Sequence, residues 1–127
     1  MPNGWVLPIF NENDGFVDKK NHPKQVYLTV VTGFNIKGPH LHKRRSGLLT
    51  CIVGNVKIIV RQKGKYHEFF TGENFGFRTI KIPAGIPMAI QNVDDTDAYV
   101  LNMPSPAWSK EYLDDHPVNF DDYVFTW

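Results

Sequence analysis

The chain has 127 residues, of which 42% are hydrophobic and 13% aromatic, and its formal net charge is +1. This composition predicts a packed globular core and excludes an intrinsically disordered chain. No segment approaches the roughly 20 consecutive apolar residues that a membrane-spanning helix needs, so we expect no membrane partner. The single cysteine, Cys51, excludes an internal disulfide and favours a cytoplasmic location.

Charge is distributed unevenly along the chain. Residues 1–90 carry 13 Lys and Arg against 5 Asp and Glu, whereas residues 91–127 carry 1 against 8. The basic part makes an anionic small molecule a plausible ligand. We expect no nucleic-acid partner, because the basic residues are few and no nucleic-acid recognition motif accompanies them.

Short strand-forming segments follow one another along the chain. β-Branched and aromatic residues predict strands at 25–32, 48–53, 56–61, 66–70, 79–82, 89–93 and 98–103. Gly54-Asn55 and Lys63-Gly64-Lys65 are typical of hairpin turns. Residues 109–115 could form one helical turn at most. The pattern predicts an all-β sandwich or barrel with little helix.

We expect one domain, residues 1–127, with an N-terminal arm at 1–24, a barrel at 25–103 and a packed C-terminal tail at 104–127. The tail ends in an aromatic cluster, which comprises Phe120, Tyr123, Phe125 and Trp127. Exposing these rings to water would be unfavourable. The tail should therefore pack on the barrel or on a second subunit.

The most informative segment is His40-Leu41-His42. Alternate side chains of a strand share a face, so the two imidazoles should project together while Leu41 points the other way. Two imidazoles on the concave face of a barrel can bind a metal ion or transfer protons near neutral pH. An isolated His-x-His pattern is weak evidence, and its context decides its weight.

That context resembles the first sequence motif of the cupin family. The motif has a glycine-rich approach to His-x-His, then a glutamate and, after six intervening residues, a glycine. His40, His42 and Gly54 match it, whereas Gly47 stands at the glutamate position.

The second cupin motif reads Pro-x-Gly, two residues, His, three residues, Asn. Pro83-Ala84-Gly85 and Asn92 match it, whereas Met88 stands at the histidine position. Together the two motifs imply the cupin fold, a double-stranded β-helix or jelly-roll barrel.

The two departures bear on the chemistry. Metal-binding cupins use both histidines, the glutamate and the later histidine. With Gly47 and Met88 in the last two positions, a divalent ion is short of protein ligands, and a thioether suits only soft metals. We therefore expect no metal and no other cofactor, and a site that works by proton transfer.

Among metal-free cupins, the chain resembles the RmlC-like enzymes of nucleotide-linked 4-keto-6-deoxy sugars, over about residues 25–127. These enzymes are the dTDP-4-dehydrorhamnose 3,5-epimerases and the sugar 3,4-ketoisomerases. Residues 37–42 resemble the ketoisomerase pattern Arg-Gly-x-His-Ala-His, and Tyr27 stands where that family has an active-site tyrosine. The tail is more similar to short relatives of the 3,5-epimerases.

The resemblance implies an isomerase, an epimerase or a 3,4-ketoisomerase, that acts through an enolate without a metal. His40 matches the general base, and His42 and Tyr27 are candidates to deliver or shuttle the second proton.

The resemblance also implies how the substrate is bound. Lys37, at the arginine position, would meet the diphosphate, and Arg44 and Arg45 could add to its binding. The expected partners are a small-molecule nucleotide sugar and a second copy of the chain in a homodimer, with the N-terminal strand crossing to the partner.

Alternatives stay open at this point. The lysine of the 3,5-epimerases falls on Gly47 and their tyrosine falls near Met103-Pro104, which disfavours ordinary 3,5-epimerisation. A 3,4-ketoisomerase or a single-carbon epimerase fits better. A non-catalytic sugar- or nucleotide-binding cupin and a metal-dependent cupin are the other candidates. The histidines outside the motif are expected at the surface, and they are His22, His67 and His116.

Overall fold

The computed structural model describes residues 3–127, and its regular structure is almost entirely β. The nine strands are β1 Tyr27–Val31, β2 Ile36–Leu41, β3 Ser46–Val53, β4 Asn55–Gln62, β5 Lys65–Gly72, β6 Thr79–Ile82, β7 Met88–Asn92, β8 Ala98–Ser105 and β9 His116–Pro117. Within residues 3–127 the one helical element is a 3-10 turn at Lys19–Asn21. No helix in this range is long and apolar enough to cross a membrane. The all-β prediction is confirmed.

The strands form two antiparallel sheets. The first has the order β1-β8-β3-β6, and the second has the order β5-β4-β7-β2-β9. The hairpin predicted at Lys63-Gly64-Lys65 is confirmed, since it joins the antiparallel pair β4 and β5, with Lys63 and Gly64 at positive φ. The hairpin predicted at Gly54-Asn55 is wrong, because β3 and β4 belong to different sheets and Gly54, also at positive φ, carries the chain from one sheet to the other. β9, which pairs with the end of β2, was not predicted because two residues are too short for a strand pattern.

The main core lies between the sheets. Val56, Ile58 and Val60 alternate along β4 and are buried against residues of the opposite sheet, which include Leu49 and Cys51. Burial raises the pKa of the Cys51 thiol to about 11, so the thiol stays protonated at neutral pH. Cys51 is therefore a core residue and a poor nucleophile.

The C-terminal tail covers the outer face of the second sheet. Phe120 is buried there against Ile59 and Ala89, and Tyr123 and Phe125 pack on the same cluster. The tail thereby buries a second apolar layer, which one side of β4 and β7 would otherwise expose to water.

Polar contacts hold the end of this tail. Lys57, buried on the outer side of β4, donates from Nζ to the Thr126 carbonyl at 3.1 Å and lies 3.7 Å from a Glu68 carboxylate oxygen. The Gln91 amide donates to the same carbonyl at 2.9 Å. The tail thus supplies a hydrogen-bond acceptor to two buried polar side chains of the sheet.

Candidate active site

Two adjoining cavities, of about 490 and 90 Å³, lie at the histidine strand. Four side chains line both cavities: Tyr27, His40, His42 and Arg45. The larger cavity lies against residues 106–115, and its volume is within the range of small-molecule sites. The fold therefore brings four residues from the sequence analysis to one place.

The two imidazoles are neighbours, as the alternation of β2 predicts. Their ring centroids are 4.9 Å apart, and the side chains of His40 and His42 are 26% and 16% exposed. They are thus largely withdrawn from water and still open to the cavity.

A bulge in β2 puts Lys37 on the same side of the sheet as the histidines. Lys37 pairs with Ile90 of β7. His40 pairs with Met88, so the step between these two pairs spans three positions on β2 but only two on β7. The extra residue shifts the in-out alternation of side chains by one position. Lys37 therefore lies on the same side as the histidines and lines the smaller cavity. Gly38 makes this possible, since its φ is 90° and a Cβ would lie 3.0 Å from a carbonyl oxygen of β7.

The two departures from the cupin motifs also face the smaller cavity. Gly47 and Met88 both line it, together with the histidines. A Cβ on Gly47 would meet only the Asn102 amide oxygen, at 3.5 Å. Open space and a thioether therefore stand where the motif would supply a carboxylate and an imidazole.

A carboxylate that the sequence analysis did not single out completes the site. Asp115 Oδ1 lies 3.4 Å from His40 Nδ1 and 3.9 Å from His42 Nε2. Asp115 precedes β9, whose pairing with β2 brings it to the histidines. Its acidic neighbours in the tail were the one signal in the sequence, and no spacing linked them to the histidine motif.

These three side chains are the group best able to hold a cation among the described residues. One ligand atom from each lies within 4.8 Å of the other two. Arg45 opposes such binding, because its guanidinium already contacts the His42 nitrogen that would be a ligand.

Asp114 shapes the loop between β2 and β3. Its carboxylate accepts hydrogen bonds, each 2.9 Å long, from the backbone N–H groups of Lys43, Arg44 and Arg45. Burial acts to raise the pKa of Asp114, but these three donors outweigh it and hold the pKa below its usual range. The ionised carboxylate therefore fixes the backbone from which two cavity-lining arginines project.

The predicted substrate-binding cations lie at different depths. Arg45 reaches inside, where its Nη2 is 2.7 Å from His42 Nε2 and its guanidinium carbon is 5.9 Å from the centre of the Tyr27 ring. Arg44 lines the larger cavity but not the smaller one, and its guanidinium carbon is 5.0 Å from the centre of the Tyr112 ring. Lys37 reaches only the smaller cavity.

Both histidines favour the neutral form. Burial is the largest cause of the lowered pKa of His40; Asp115 counteracts it, and the positive charges of Arg45 and Lys37 add to it. Burial and then Arg45 lower the pKa of His42 to about 4. At neutral pH, both rings therefore have a nitrogen lone pair to accept a proton or a hydrogen bond.

The phenol of Tyr27 has the opposite character. Burial is the main cause of its raised pKa, and the positive charge of Arg45 only partly offsets it. Tyr27 therefore stays protonated at neutral pH and is able to donate a proton.

Two of the histidines outside the motif are not simple surface residues. His22 is half-buried and makes an edge contact with Phe10 at a centroid distance of 5.4 Å. His116 lies beside the site, with its Nε2 at 3.6 Å from Asp114 Oδ1. His67 on β5 is exposed, as predicted.

Comparison with solved structures shows the RmlC-like cupin fold. A dTDP sugar isomerase from Desulfovibrio desulfuricans G20 has a TM-score of 0.82 at 16% identity, with 95% of this chain and 78% of that chain covered. A dTDP-4-dehydrorhamnose 3,5-epimerase from Elizabethkingia anophelis has a TM-score of 0.68 at 18% identity, with 84% and 62% covered. The predicted cupin fold is confirmed.

A longer protein shares the fold in one part. The capsular polysaccharide assembling protein CapF from Staphylococcus aureus has a TM-score of 0.70 at 18% identity, with 80% of this chain covered. The present chain spans about a third of it, namely 33%. Comparison with curated protein sequences gives no match.

A family model described as "FdtA: WxcM-like, C-terminal" matches residues 10–124. The match includes the histidine strand, both cavities and the aspartates of the tail. The chain therefore belongs to the FdtA/WxcM-like C-terminal family, and its predicted RmlC-like cupin fold is confirmed.

Proposed function

We propose that this protein is an isomerase that acts on a nucleotide-diphosphate-linked 4-keto-6-deoxy sugar by metal-independent proton transfer. The observation that carries the proposal is the convergence of Tyr27, His40, His42 and Arg45 on two cavities, with Asp115 against His40. Solved proteins of the same fold include a dTDP sugar isomerase and a 3,5-epimerase.

His40 acts as the general base in this proposal. Its Nδ1 faces Asp115 at 3.4 Å, which leaves Nε2 free for the proton next to the ketone. Removal of that proton gives an enolate, and Asp115 stabilises the imidazolium that forms. The lowered pKa of His40 supports this role, because the ring is neutral before it takes the proton.

The second proton comes from another side chain that lines the two cavities. Tyr27 remains a phenol at neutral pH and His42 lines the same two cavities, so either can return or relay a proton. Return to the same carbon from the other face gives an epimer. If the proton is delivered to the neighbouring carbon and a second proton shifts between the oxygens, the ketone moves to that position. Both outcomes are isomerisations, so the atom count of the sugar is unchanged.

The larger cavity suits the nucleotide part of such a substrate. Arg44 and Arg45 line it and supply guanidinium groups, which bind phosphate oxygens in pairs. Trp108 and Tyr112 line it as exposed aromatic side chains, on which a base can stack. Lys37, in the smaller cavity, would instead meet the sugar or the inner phosphate.

Thymidine diphosphate should stabilise the folded protein if the proposal is right. A ligand that binds only the folded state at 100 times its dissociation constant adds about 2.7 kcal/mol, or several degrees of melting temperature. Thermal denaturation with thymidine diphosphate, with thymidine alone as the control, measures this. No shift with any nucleoside diphosphate at millimolar concentration would contradict the proposal.

Incubation with dTDP-4-keto-6-deoxyglucose in heavy water separates the possible reactions. Nuclear magnetic resonance of the product reports deuterium at each ring carbon, and so distinguishes epimerisation from a ketone shift. Binding without deuterium incorporation would instead favour the alternative of a non-catalytic nucleotide-sugar-binding protein.

We also propose that the protein acts as a homodimer of single-domain chains in the cytoplasm. Support comes from the outer side of the first sheet, where edge strand β1 and its neighbours expose apolar side chains, including Leu28 at 47% and Val30 at 36%. Leu28→Glu should convert the dimer to a monomer, because it places a charge in that apolar face. Sedimentation analysis measures the mass, and a monomeric wild type would refute this part.

A further inference from the structure

The side chain of Arg45 is hydrogen-bonded to one ring nitrogen of His42, Nε2. The Arg45 Nη2 atom lies 2.7 Å from His42 Nε2. A guanidinium stays protonated and can only donate, so His42 Nε2 must accept the bond with its lone pair and the ring proton must be on Nδ1. While this bond exists, His42 can neither take a proton at Nε2 nor release one from it.

Arg45 lacks an anionic partner in the structure. Within residues 3–127, its guanidinium forms no ion pair with a carboxylate. The carboxylate of Asp114 is engaged by backbone N–H groups, and that of Asp115 lies against His40. Arg45 therefore directs a hydrogen bond of 2.7 Å to a neutral ring.

An anion in the larger cavity would compete well for this guanidinium. Charge-assisted hydrogen bonds are roughly twice as strong as bonds between neutral groups, and arginine binds phosphate through two parallel bonds. Arg45 and His42 both line that cavity, so a bound anion is within the reach of the side chain. Arg45 can therefore exchange His42 for the ligand without a change in the fold.

We propose that Arg45 is a positioning residue operated by the anionic part of the substrate: it blocks His42 Nε2 in the free protein and releases it when a diphosphate binds. The identity of the anion rests on the proposed function. The device makes His42 available only when the nucleotide part is in place, so a keto sugar without a diphosphate would lack the proton transfer that His42 contributes.

The charges around His42 determine the direction in which its pKa changes when Arg45 leaves it. The groups that face it from the adjacent elements are His40, Tyr27, Arg45, Asp114 and Asp115. Arg45 and His40 lower the pKa of His42 and the two aspartates raise it. Loss of the Arg45 contact therefore raises the pKa of His42, and the anion itself acts in the same direction.

The test follows the titration of the His42 ring by nuclear magnetic resonance, with inorganic pyrophosphate and thymidine diphosphate as probes. In the free wild-type protein the midpoint should lie at about 4. Saturation with either probe should shift it to higher pH. An unchanged midpoint, or no binding of either probe at millimolar concentration, would overturn the inference.

Two arginine variants separate release by Arg45 from the charge of the anion alone. Arg45→Met should shift the midpoint of the free protein to higher pH, and pyrophosphate should then add little. Arg44→Met is the matched control, since Arg44 lines the same cavity without touching His42, and it should leave the midpoint of the free protein unchanged. Arg45→Gln replaces Arg45→Met if the methionine variant does not fold.

The outcomes also separate this inference from the proposed function. An Arg45→Met protein with the wild-type midpoint, or with the full wild-type response to pyrophosphate, would exclude Arg45 as the cause. The titration needs no turnover. A protein that is inactive on keto sugars but shows the anion-dependent shift would refute the proposed function alone, and an active protein without the shift would refute this inference alone.

Discussion

His40→Asn is expected to lower turnover by about 100- to 10,000-fold, which is the usual contribution of a positioned general base. Asparagine is close to histidine in size but cannot accept a proton near neutral pH. The loss should fall on kcat and on deuterium incorporation, because the base acts on the reacting carbon. The affinity for thymidine diphosphate should change little, since Arg44 and Arg45 remain.

The pH profile of the same variant gives an independent check. Because the pKa of His40 lies below its ordinary value, the wild-type kcat/KM should rise as the pH increases through this lowered pKa, where the ring becomes neutral. The residual activity of His40→Asn should lack that limb. A profile that keeps the limb would assign the titration to another group.

Exposed His67 on β5 provides the matched control, because it lies on a different strand and lines neither site cavity. His67→Asn should retain wild-type turnover. Activity that survives in His40→Asn would exclude His40 as the base. Loss of wild-type activity on dialysis against a chelator, with recovery on addition of a divalent ion, would instead favour a metal bound by the group of His40, His42 and Asp115.

Phe120→Ala is expected to lower the free energy of unfolding by about 3 to 5 kcal/mol, as is usual for buried phenylalanines. Phe120 is 7% exposed, and its ring lies 5.0 Å from that of Tyr66 and 5.3 Å from the guanidinium carbon of Arg61. Truncation removes the centre of the cluster that holds the tail. Urea denaturation followed by circular dichroism measures the loss.

Phe120→Ala should also lower activity, because the tail helps to position the active site. The tail pairs with β2 through β9, where His40 lies opposite Pro117, and the Val118 N–H donates to the Pro39 carbonyl at 3.3 Å. A loosened tail would carry Asp115 away from His40, so kcat should fall as well. Phe69→Ala, at a phenylalanine that is 41% exposed, is the control and should cost about 1 kcal/mol or less. Equal losses in the two variants would contradict the importance of the tail cluster.

Local patterns predicted most of the barrel. The strands of the main core alternate or are continuously apolar, and glycine-containing turns separate them, so neighbouring residues alone define their limits. The pairing of His40 with His42 follows from the same alternation. Alternation alone does not predict the side of the strand on which Lys37 lies, because the bulge at Gly38 reverses it. The Gly-Pro pair was the only sequence signal of that bulge.

The remainder of the site depends on contacts between distant parts of the chain. Asp114 contacts the backbone of Lys43 to Arg45, which lies 69 to 71 residues away in the sequence. Asp115, in the same segment, contacts His40. Periodicity carries no information about which segment closes a cavity, since closure results from the packing of the tail.

The amino-acid sequence by itself determined the all-β barrel, the inward histidine pair and the family, because these depend on residue types at short, regular spacings. Only the tertiary structure decided that Asp115 lies against His40 and that Arg45 contacts His42 Nε2. The first contact arises when the tail folds over the cavity. The second lies within the loop before β3, whose backbone conformation the tail residue Asp114 holds by three hydrogen bonds.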